Sequence, residues 1–377
     1  MRVAFYAPLK PPDHPVPSGD RRIARLLMTA IKNAGHHVTI ASRLRTLDRQ
    51  GDRQNQEMIK RRGMALANRY ILRHAENPPD LWFTYHLYHK APDWLGPAIS
   101  QAFSIPYVVA EASVAPKQAG GPWAMGHETV CTALHRARRV LVLNPDDIEC
   151  LAPIVAEPSR LFSVPPFIDT KPPRHAAAAR ETHRRRLAER FRLDRNKVWI
   201  AVTAMMRSGD KLDSYRVLGK TAHRLRDLPL VWLVAGDGPE RATVEAMLDG
   251  TQVVYLGASD RADVDALHAA ADIAVWPAIR EAFGMALLEA QAAGLPIVAG
   301  ASPGVAQIVE NEITGLLTPS SDDTMLAEAV RRLIQAPELR REMSARAMQK
   351  AEQVHDLVAA TQHIDRLLRT AQEEQAS

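Results

Sequence analysis

Two successive runs of strand–helix alternation predict an α/β protein of two domains. The first run opens at RVAFYA (2–7) and the second at VWIAVTAM (198–205). A proline-bearing stretch, LFSVPPFIDTKPP (161–173), lies between them. After the first strand, Ser18-Gly19-Asp20 starts a helix with Ile23, Leu26, Leu27, Ala30, Ile31 and Ala34 on one face, a 3.6-residue period. Gly35 ends it where a left-handed residue is wanted, and HHVTIA (36–41) is the next strand. Such a βαβ unit implies a parallel sheet with helices on both faces.

LWFTYH (81–86), YVVAEA (107–112) and VLVLN (140–144) extend the first sheet, with a basic helix in 45–74. Pro165, Pro166, Pro172 and Pro173 exclude a helix interior or a central strand, so the boundary is placed here. The expected domains are 1–167 and 168–354, with a helix at about 355–377 packing back on the first. In the second domain LPLVWLVAG (228–236), QVVYLG (252–257), IAVWP (273–277), PIVAG (296–300) and GLLTP (315–319) read as strands. SDDTMLAEAVRRLIQ (321–335) reads as a helix with Ser321 as N-cap. Two such sheets are expected to face each other across a cleft that holds the ligand.

The bulk numbers narrow the function. A chain of 377 residues, 46% apolar and 24% charged, is long enough for two cores and ordinary for a globular protein. Cys131 and Cys150 are the only cysteines and read as small buried hydrophobes, which suits a reducing compartment. MRVAFYAPLKPPD lacks the apolar run of a signal peptide, and Glu289, Gln291 and Pro296 interrupt the most apolar window, 282–301. A cytoplasmic protein is expected. The net charge is +5, unevenly spread: 43–73 holds nine Lys/Arg against three Asp/Glu, and 171–197 ten against three. These runs read either as solvated helix faces or as attraction to anionic lipid on the inner face of a membrane. No zinc-finger spacing or aromatic–basic sheet motif points to nucleic acid.

Chemistry concentrates in IREAFGMALLEAQAAGLPIVAG. Glu281 leaves a strand, Phe283, Gly284 and Met285 open a helix, and Glu289 lies five residues beyond Gly284. A helix N-terminus presents free N–H groups and partial positive charge, so phosphate binds there. Glu289, among apolar neighbours, calls for a partner and could accept from ribose hydroxyls. Arg207 and Lys211 follow the first strand of the second domain, where two cations would neutralise a diphosphate. Asp263-Val-Asp265 falls in a helical pattern that sends its carboxylates to different faces; it reads as solvent-facing charge, and no metal is expected.

The same residues resemble a family. Glu281 to Glu289, followed by Ala-Gln-Ala-Ala-Gly-Leu-Pro-Ile-Val, looks like the E-x7-E signature of family 4 retaining glycosyltransferases of GT-B fold, built from two Rossmann-like α/β domains. Val234-Ala-Gly-Asp-Gly-Pro239, Tyr255-Leu-Gly257, Val164-Pro-Pro-Phe-Ile-Asp169 and Gly315-Leu-Leu-Thr-Pro resemble further segments of it. The resemblance implies a nucleotide diphosphate sugar as donor, with no cofactor. It implies that Glu281 contacts the transferred sugar and Glu289 the ribose, and that the amides of Phe283, Gly284 and Met285 contact phosphate. Gly236 and Gly257 fall in the donor-binding loops, and Gly19 stands where the family has a glycine-rich loop touching the donor phosphate. Catalytic roles are thereby expected for Glu281, Arg207 and Lys211.

The acceptor side rests on Glu111, which ends a strand, and on Lys117 and His127 in the loop that follows. His86 ends another strand and reads as structural. A glycan or lipid-linked acceptor in cell-surface glycan or glycolipid synthesis is expected from the resemblance. A nucleotide-sugar epimerase or hydrolase on the same fold stays open, as does a two-lobed binding protein without catalysis.

Overall fold

The computed structural model describes residues 1–16 and 18–376 and resolves two compact units. Unit 1 comprises Met1–Pro165 and the segment from Leu357 onward, and unit 2 comprises Pro166–Asp356. Ser377, the end of the expected last helix, lies outside the described residues.

Unit 1 runs β1 (Arg2–Tyr6), α1 (Gly19–Asn33), β2 (His37–Ser42), α2 (Arg53–Arg73), β3 (Leu81–Leu87) and α3 (Gly96–Phe103). It continues with β4 (Tyr107–Ala112), α4 (Ala124–Arg136), β5 (Arg139–Val142), α5 (Asp147–Leu151) and β6 (Leu161–Ser163). Unit 2 starts with α6 (Lys171–Ala178), α7 (Arg180–Phe191), β7 (Val198–Thr203), α8 (Asp210–Arg224), β8 (Leu230–Ala235) and α9 (Arg241–Leu248). Then come β9 (Val253–Gly257), α10 (Arg261–Ala270), β10 (Ile273–Trp276), α11 (Met285–Ala292), β11 (Ile297–Gly300) and α12 (Pro303–Ile308). β12 (Gly315–Thr318), α13 (Asp323–Gln335) and α14 (Pro337–Val354) complete unit 2, and α15 (Leu357–Ala376) belongs to unit 1.

Each unit holds one six-stranded parallel sheet, ordered β2-β1-β3-β4-β5-β6 in the first and β12-β11-β10-β7-β8-β9 in the second. The order in which strands are added therefore reverses between β1 and β3 in unit 1 and between β7 and β10 in unit 2. Open α/β sheets bind ligands beyond the carboxyl ends of the strands at such reversals. The apolar strands are buried on both faces, as parallel sheets require: Phe5, Phe83 and Trp82 are sealed in unit 1, and Trp199, Trp232 and Leu233 in unit 2.

Three local expectations need correction. Pro172 and Pro173 do not stop a helix but lie in the first turn of α6, where no backbone N–H is needed. The stretch taken as a break also contains β6, three residues paired in parallel with β5. Asp322, not Ser321, caps α13, accepting from the amides of Thr324 and Met325.

The second basic run is only partly a solvated face. Arg184 is buried at 7% exposure and donates to Asp272 Oδ2 (3.1 Å) and to the carbonyls of Ala270, Arg195 and Lys197. Arg180 reaches the other oxygen of Asp272 at 2.6 Å, and the Trp199 amide donates to Asp272 at 2.8 Å. The guanidinium of Arg184 also covers the Trp199 ring, 4.2 Å from its centroid. In unit 1, α15 is tied down by His36, 2.8 Å from Asp365, and by Arg139, which pairs with Glu374. Among the described residues no helix is long and apolar enough to cross a membrane.

Two buried histidines make unit 2 acid-sensitive. Burial pushes both His268 and His355 down to about 4, below the ordinary histidine value. A histidine whose folded pKa is depressed stays neutral in the fold while the unfolded chain takes up a proton. Stability is then full above about pH 6.5 and falls as the pH drops toward 4. Urea unfolding at pH 7 and pH 4.5 is expected to show a loss of a few kcal/mol, of which replacing His355 with Gln removes about half.

Candidate functional site

The segments that follow β7 and β10 carry Arg207, Lys211, Glu281, Phe283 and Gly284. The loop after β10 brings Glu281 to Lys211 at the start of α8, and the two form an ion pair. Trp276 Nε1 donates to the same carboxylate at 3.2 Å, and Lys211 Nζ lies 5.2 Å from the Trp276 ring centroid. Tyr215 packs edge-on against that ring and donates its hydroxyl to Ala204 O at 2.9 Å. The pair is about one-fifth exposed on each side, so it meets solvent without being free in it.

The backbone leading to Glu281 is held in an unusual shape. Ala278 and Arg280 both have positive φ, 56° and 47°, which costs an L-residue of order 1–3 kcal/mol. Neighbouring contacts impose it. Ser214 Oγ accepts from the Ile279 amide at 3.1 Å, and Arg280 reaches Asp210 at 2.5 Å and Asp213 at 3.2 Å. Strain of this kind persists where surrounding contacts over-determine it and is concentrated at functional sites. Here it sets the direction in which Glu281 leaves the strand.

Gly284 is the N-cap of α11 at φ 61°, a conformation glycine adopts without strain. No side chain caps α11; the Leu287 amide donates to Gly284 O at 2.8 Å, which leaves the amides of Met285 and Ala286 at the start of the helix. Met285 lies at the start of that turn and Phe283 just before it, both partly buried. A small cavity gathers Glu281, Lys211, Gly284 and Met285 on one wall. Arg207 is exposed in the loop from β7 to α8. Gly236 lies where a Cβ would stand 1.9 Å from Ala204 O, so the loop after β8 can lie against the loop after β7 only without a side chain there. Gly257 closes β9, and its carbonyl accepts from the Gly236 amide at 3.0 Å.

Glu289 has the partner its apolar surroundings demand. Its carboxylate, 5% exposed, forms an ion pair with Arg261, whose Nε lies 3.0 Å from Asp265. One guanidinium, itself 40% exposed, thus answers two buried carboxylates. This corrects the reading of Asp263 and Asp265. Asp263 is exposed as expected, but Asp265 is buried and paired with Arg261. The i, i+4 spacing of Arg261 and Asp265 was the available signal for this.

In unit 1 the reversal between β1 and β3 also collects side chains. Gly19 starts α1 with open space where a side chain would be, and Ser18 caps the helix by accepting from the Arg21 amide. Asp20 lies 3.0 Å from His86 Nδ1, and Glu111 is 3.7 Å from the same nitrogen. His86 and Glu111 both have positive φ, 63° and 56°. Burial alone would hold the His86 imidazole neutral, but the charge of Glu111 and the contact with Asp20 outweigh it and raise its pKa. Burial raises the Glu111 carboxyl, with the His86 charge opposing.

Glu111 is therefore part of a cluster that includes His86, which had read as structural. Lys117 and His127 do not join it. Lys117 lies in a short turn, and His127 is within α4 rather than a loop, 3.8 Å from Cys131 Sγ. Both add to the positive field around His89, whose pKa burial lowers first.

Comparison with known proteins places the second unit among sugar-transferring enzymes by similarity. Residues 212–350 match the family described as glycosyl transferases group 1. A D-inositol 3-phosphate glycosyltransferase of Saccharomonospora viridis is 36% identical over 135 residues, 33% of this chain and 31% of that protein. An alpha-D-kanosaminyltransferase of Streptomyces kanamyceticus is 27% identical over 184 residues, 48% of this chain and 47% of that protein. The chain thus spans 31% and 47% of the length of these two curated relatives. Among solved structures, a sucrose-phosphate synthase from Thermosynechococcus elongatus superposes with a TM-score of 0.76 at 19% identity, covering 100% of both chains. Anabaena HepE in complex with UDP-glucose gives 0.70 at 16% identity, over 98% of this chain and 100% of that one. At such identities the superpositions speak for the fold. Residues 212–350 match the glycosyl transferases group 1 family, and the chain that carries them has the two-sheet GT-B fold.

Proposed function

We propose that the chain is a family 4 retaining glycosyltransferase, moving a sugar from a nucleotide diphosphate sugar to an acceptor hydroxyl. The observation that supports this most is the Lys211–Glu281–Trp276 group beside the uncapped start of α11, at the reversal point of the second sheet. The diphosphate lies at the α11 amides, with Lys211 and Arg207 neutralising it. Glu281 holds the transferred sugar. The C1–O bond to the diphosphate breaks with its electron pair on the phosphate oxygen, the acceptor oxygen bonds C1, and the acceptor proton passes to the departing diphosphate. Preorganised cations matter most at that moment, because negative charge develops on the leaving group. No metal is invoked in this scheme.

Glu289 accepts from the ribose hydroxyls, with Arg261 fixing its orientation. Replacing Glu289 with Ala is expected to weaken nucleoside diphosphate binding about tenfold or more, the usual cost of a hydrogen bond to a charged group. Calorimetry reads this, and unchanged affinity would sink the ribose role.

Unit 1 takes the acceptor, a glycan or lipid-linked molecule, with Glu111, His86 and Asp20 as its polar contacts. The exposed side of α2 carries Arg53, Lys60, Arg61, Arg62, Arg69 and Arg73 with exposed Met58, Met64 and Leu72. Such a helix suits peripheral docking on anionic lipid at the cytoplasmic face. The chain is expected to float with anionic vesicles at low salt and to be released at high salt; absence of flotation at low salt would end this part of the reading.

Product analysis with a panel of nucleotide sugars tests the whole. Transfer with net retention at C1 is expected. Hydrolysis or epimerisation that proceeds equally well without any acceptor would replace it.

A further inference from the structure

One buried group beside the Lys211–Glu281 pair has no part in the scheme above. His268, on α10, is 1% exposed, and its Nε2 lies 3.0 Å from Thr203 Oγ1. Its Nδ1 has no hydrogen-bond partner among the described residues. Buried polar nitrogens left unpaired are rare and point to a bound water or ligand. The imidazole is neutral at neutral pH, since burial holds its pKa at about 4. A neutral ring has one donor and one acceptor nitrogen. Whichever of these Thr203 engages, Nδ1 is left needing a polar partner of the opposite kind.

Room for that partner exists. His268 lines a cavity of about 30 Å³ whose wall it shares with Thr203, Lys211, Trp276, Glu281 and Met285. The space exceeds the roughly 10–15 Å³ that one water needs, and is far below the size of a sugar ring. A buried water wants two to four polar neighbours. Lys211 has three donors and Glu281 about four acceptor positions, so their mutual ion pair leaves both with capacity to spare. On the same helix Leu267, Ala269 and Ala270 are buried apolar residues, so an apolar side chain at 268 would match its neighbours in kind.

We propose that this cavity holds one ordered water bonded to His268 Nδ1, and that His268 is a positioning residue acting through that water on the Lys211–Glu281 pair. α10 is thereby coupled to the group that meets the donor. His268 touches no substrate. The water fixes the carboxylate and the ammonium in the geometry the sugar and diphosphate require. The kinetic part of this inference rests on the donor-site role given to Glu281 and Lys211; the structural part does not.

A crystal structure of the full chain at a resolution that shows waters tests the structural part. Density is expected within about 3.2 Å of His268 Nδ1 and of Lys211 Nζ or a Glu281 oxygen. An empty cavity overturns the proposal. Steady-state kinetics of H268L and H268Q test the positioning role, with melting temperatures measured alongside. H268L is expected to lower kcat about tenfold with the donor KM within about twofold, while H268Q, which can still bond the water, keeps most of the rate. Wild-type kcat in H268L, or equal losses in both variants, overturns the positioning role. A wild-type chain that transfers no sugar contradicts the proposed function instead, and the crystallographic result then decides this inference by itself.

Discussion

Replacing Glu281 with Ala is expected to lower sugar transfer by about 10²- to 10³-fold while nucleoside diphosphate affinity stays within about threefold. The carboxylate pairs with Lys211 and accepts from Trp276, on a loop held at two positive φ angles by Arg280 and Ser214. Side-chain removal leaves that backbone in place, because its restraints come from Asp210, Asp213 and Ser214. What disappears, on the proposed function, is a contact to the sugar and the orientation of Lys211. The phosphates still find the α11 amides, so binding of the diphosphate alone is spared. Calorimetry with the nucleoside diphosphate and initial rates with the nucleotide sugar separate the two effects. Parallel losses in both would contradict the sugar-contact role and make Glu281 a general part of the donor site. Glu281→Gln sharpens the comparison, since it keeps the acceptor for Trp276 but removes the charge opposite Lys211.

Replacing Arg184 with Ala is expected to destabilise unit 2 by about 3–5 kcal/mol, the scale for breaking a buried charge pair from one side. Arg184 is the hub on which α7, the end of α10 and the entry to β7 converge. Without it Asp272 keeps Arg180 and the Trp199 amide, but three carbonyls lose their donor and the Trp199 ring loses its cover. Urea unfolding of the full chain followed by tryptophan fluorescence measures the effect. A change below about 1 kcal/mol would mean that the site relaxes and water replaces the guanidinium. The same test on Arg185 or Arg186, which are exposed, is expected to give less than about 0.5 kcal/mol.

Much of this architecture is legible in the sequence, and the exceptions have local causes. Continuous apolar runs such as VWIAV and LVWLVA announce buried parallel strands, and Gly35, at φ 84°, ends α1 where its position in the pattern indicates. β6 is hidden because three residues beside Pro165 and Pro166 have no periodicity of their own, and only pairing with β5 makes them a strand. Pro172 and Pro173 mislead because a rule for helix interiors was applied to a first turn. At the site, Glu281, Lys211, Gly284 and Met285 are legible together because one short segment and the start of α8 supply them. Trp276, Arg261 and His268 are not, since each reads as an ordinary strand or helix residue until tertiary contacts reveal its partner. His86 is the same case in unit 1, where Asp20 comes from the start of α1 and Glu111 from the end of β4.

The claim that unit 2 holds a nucleotide diphosphate sugar through Glu281, Lys211, Glu289 and the start of α11 meets its most direct test in calorimetry. The full chain is titrated with a panel of nucleoside diphosphates, first as wild type and then with Glu289→Ala. Saturable one-site binding of at least one nucleotide, weakened about tenfold or more by the substitution, is the expected result. No binding across the panel, or binding that Glu289→Ala leaves unchanged, would contradict it.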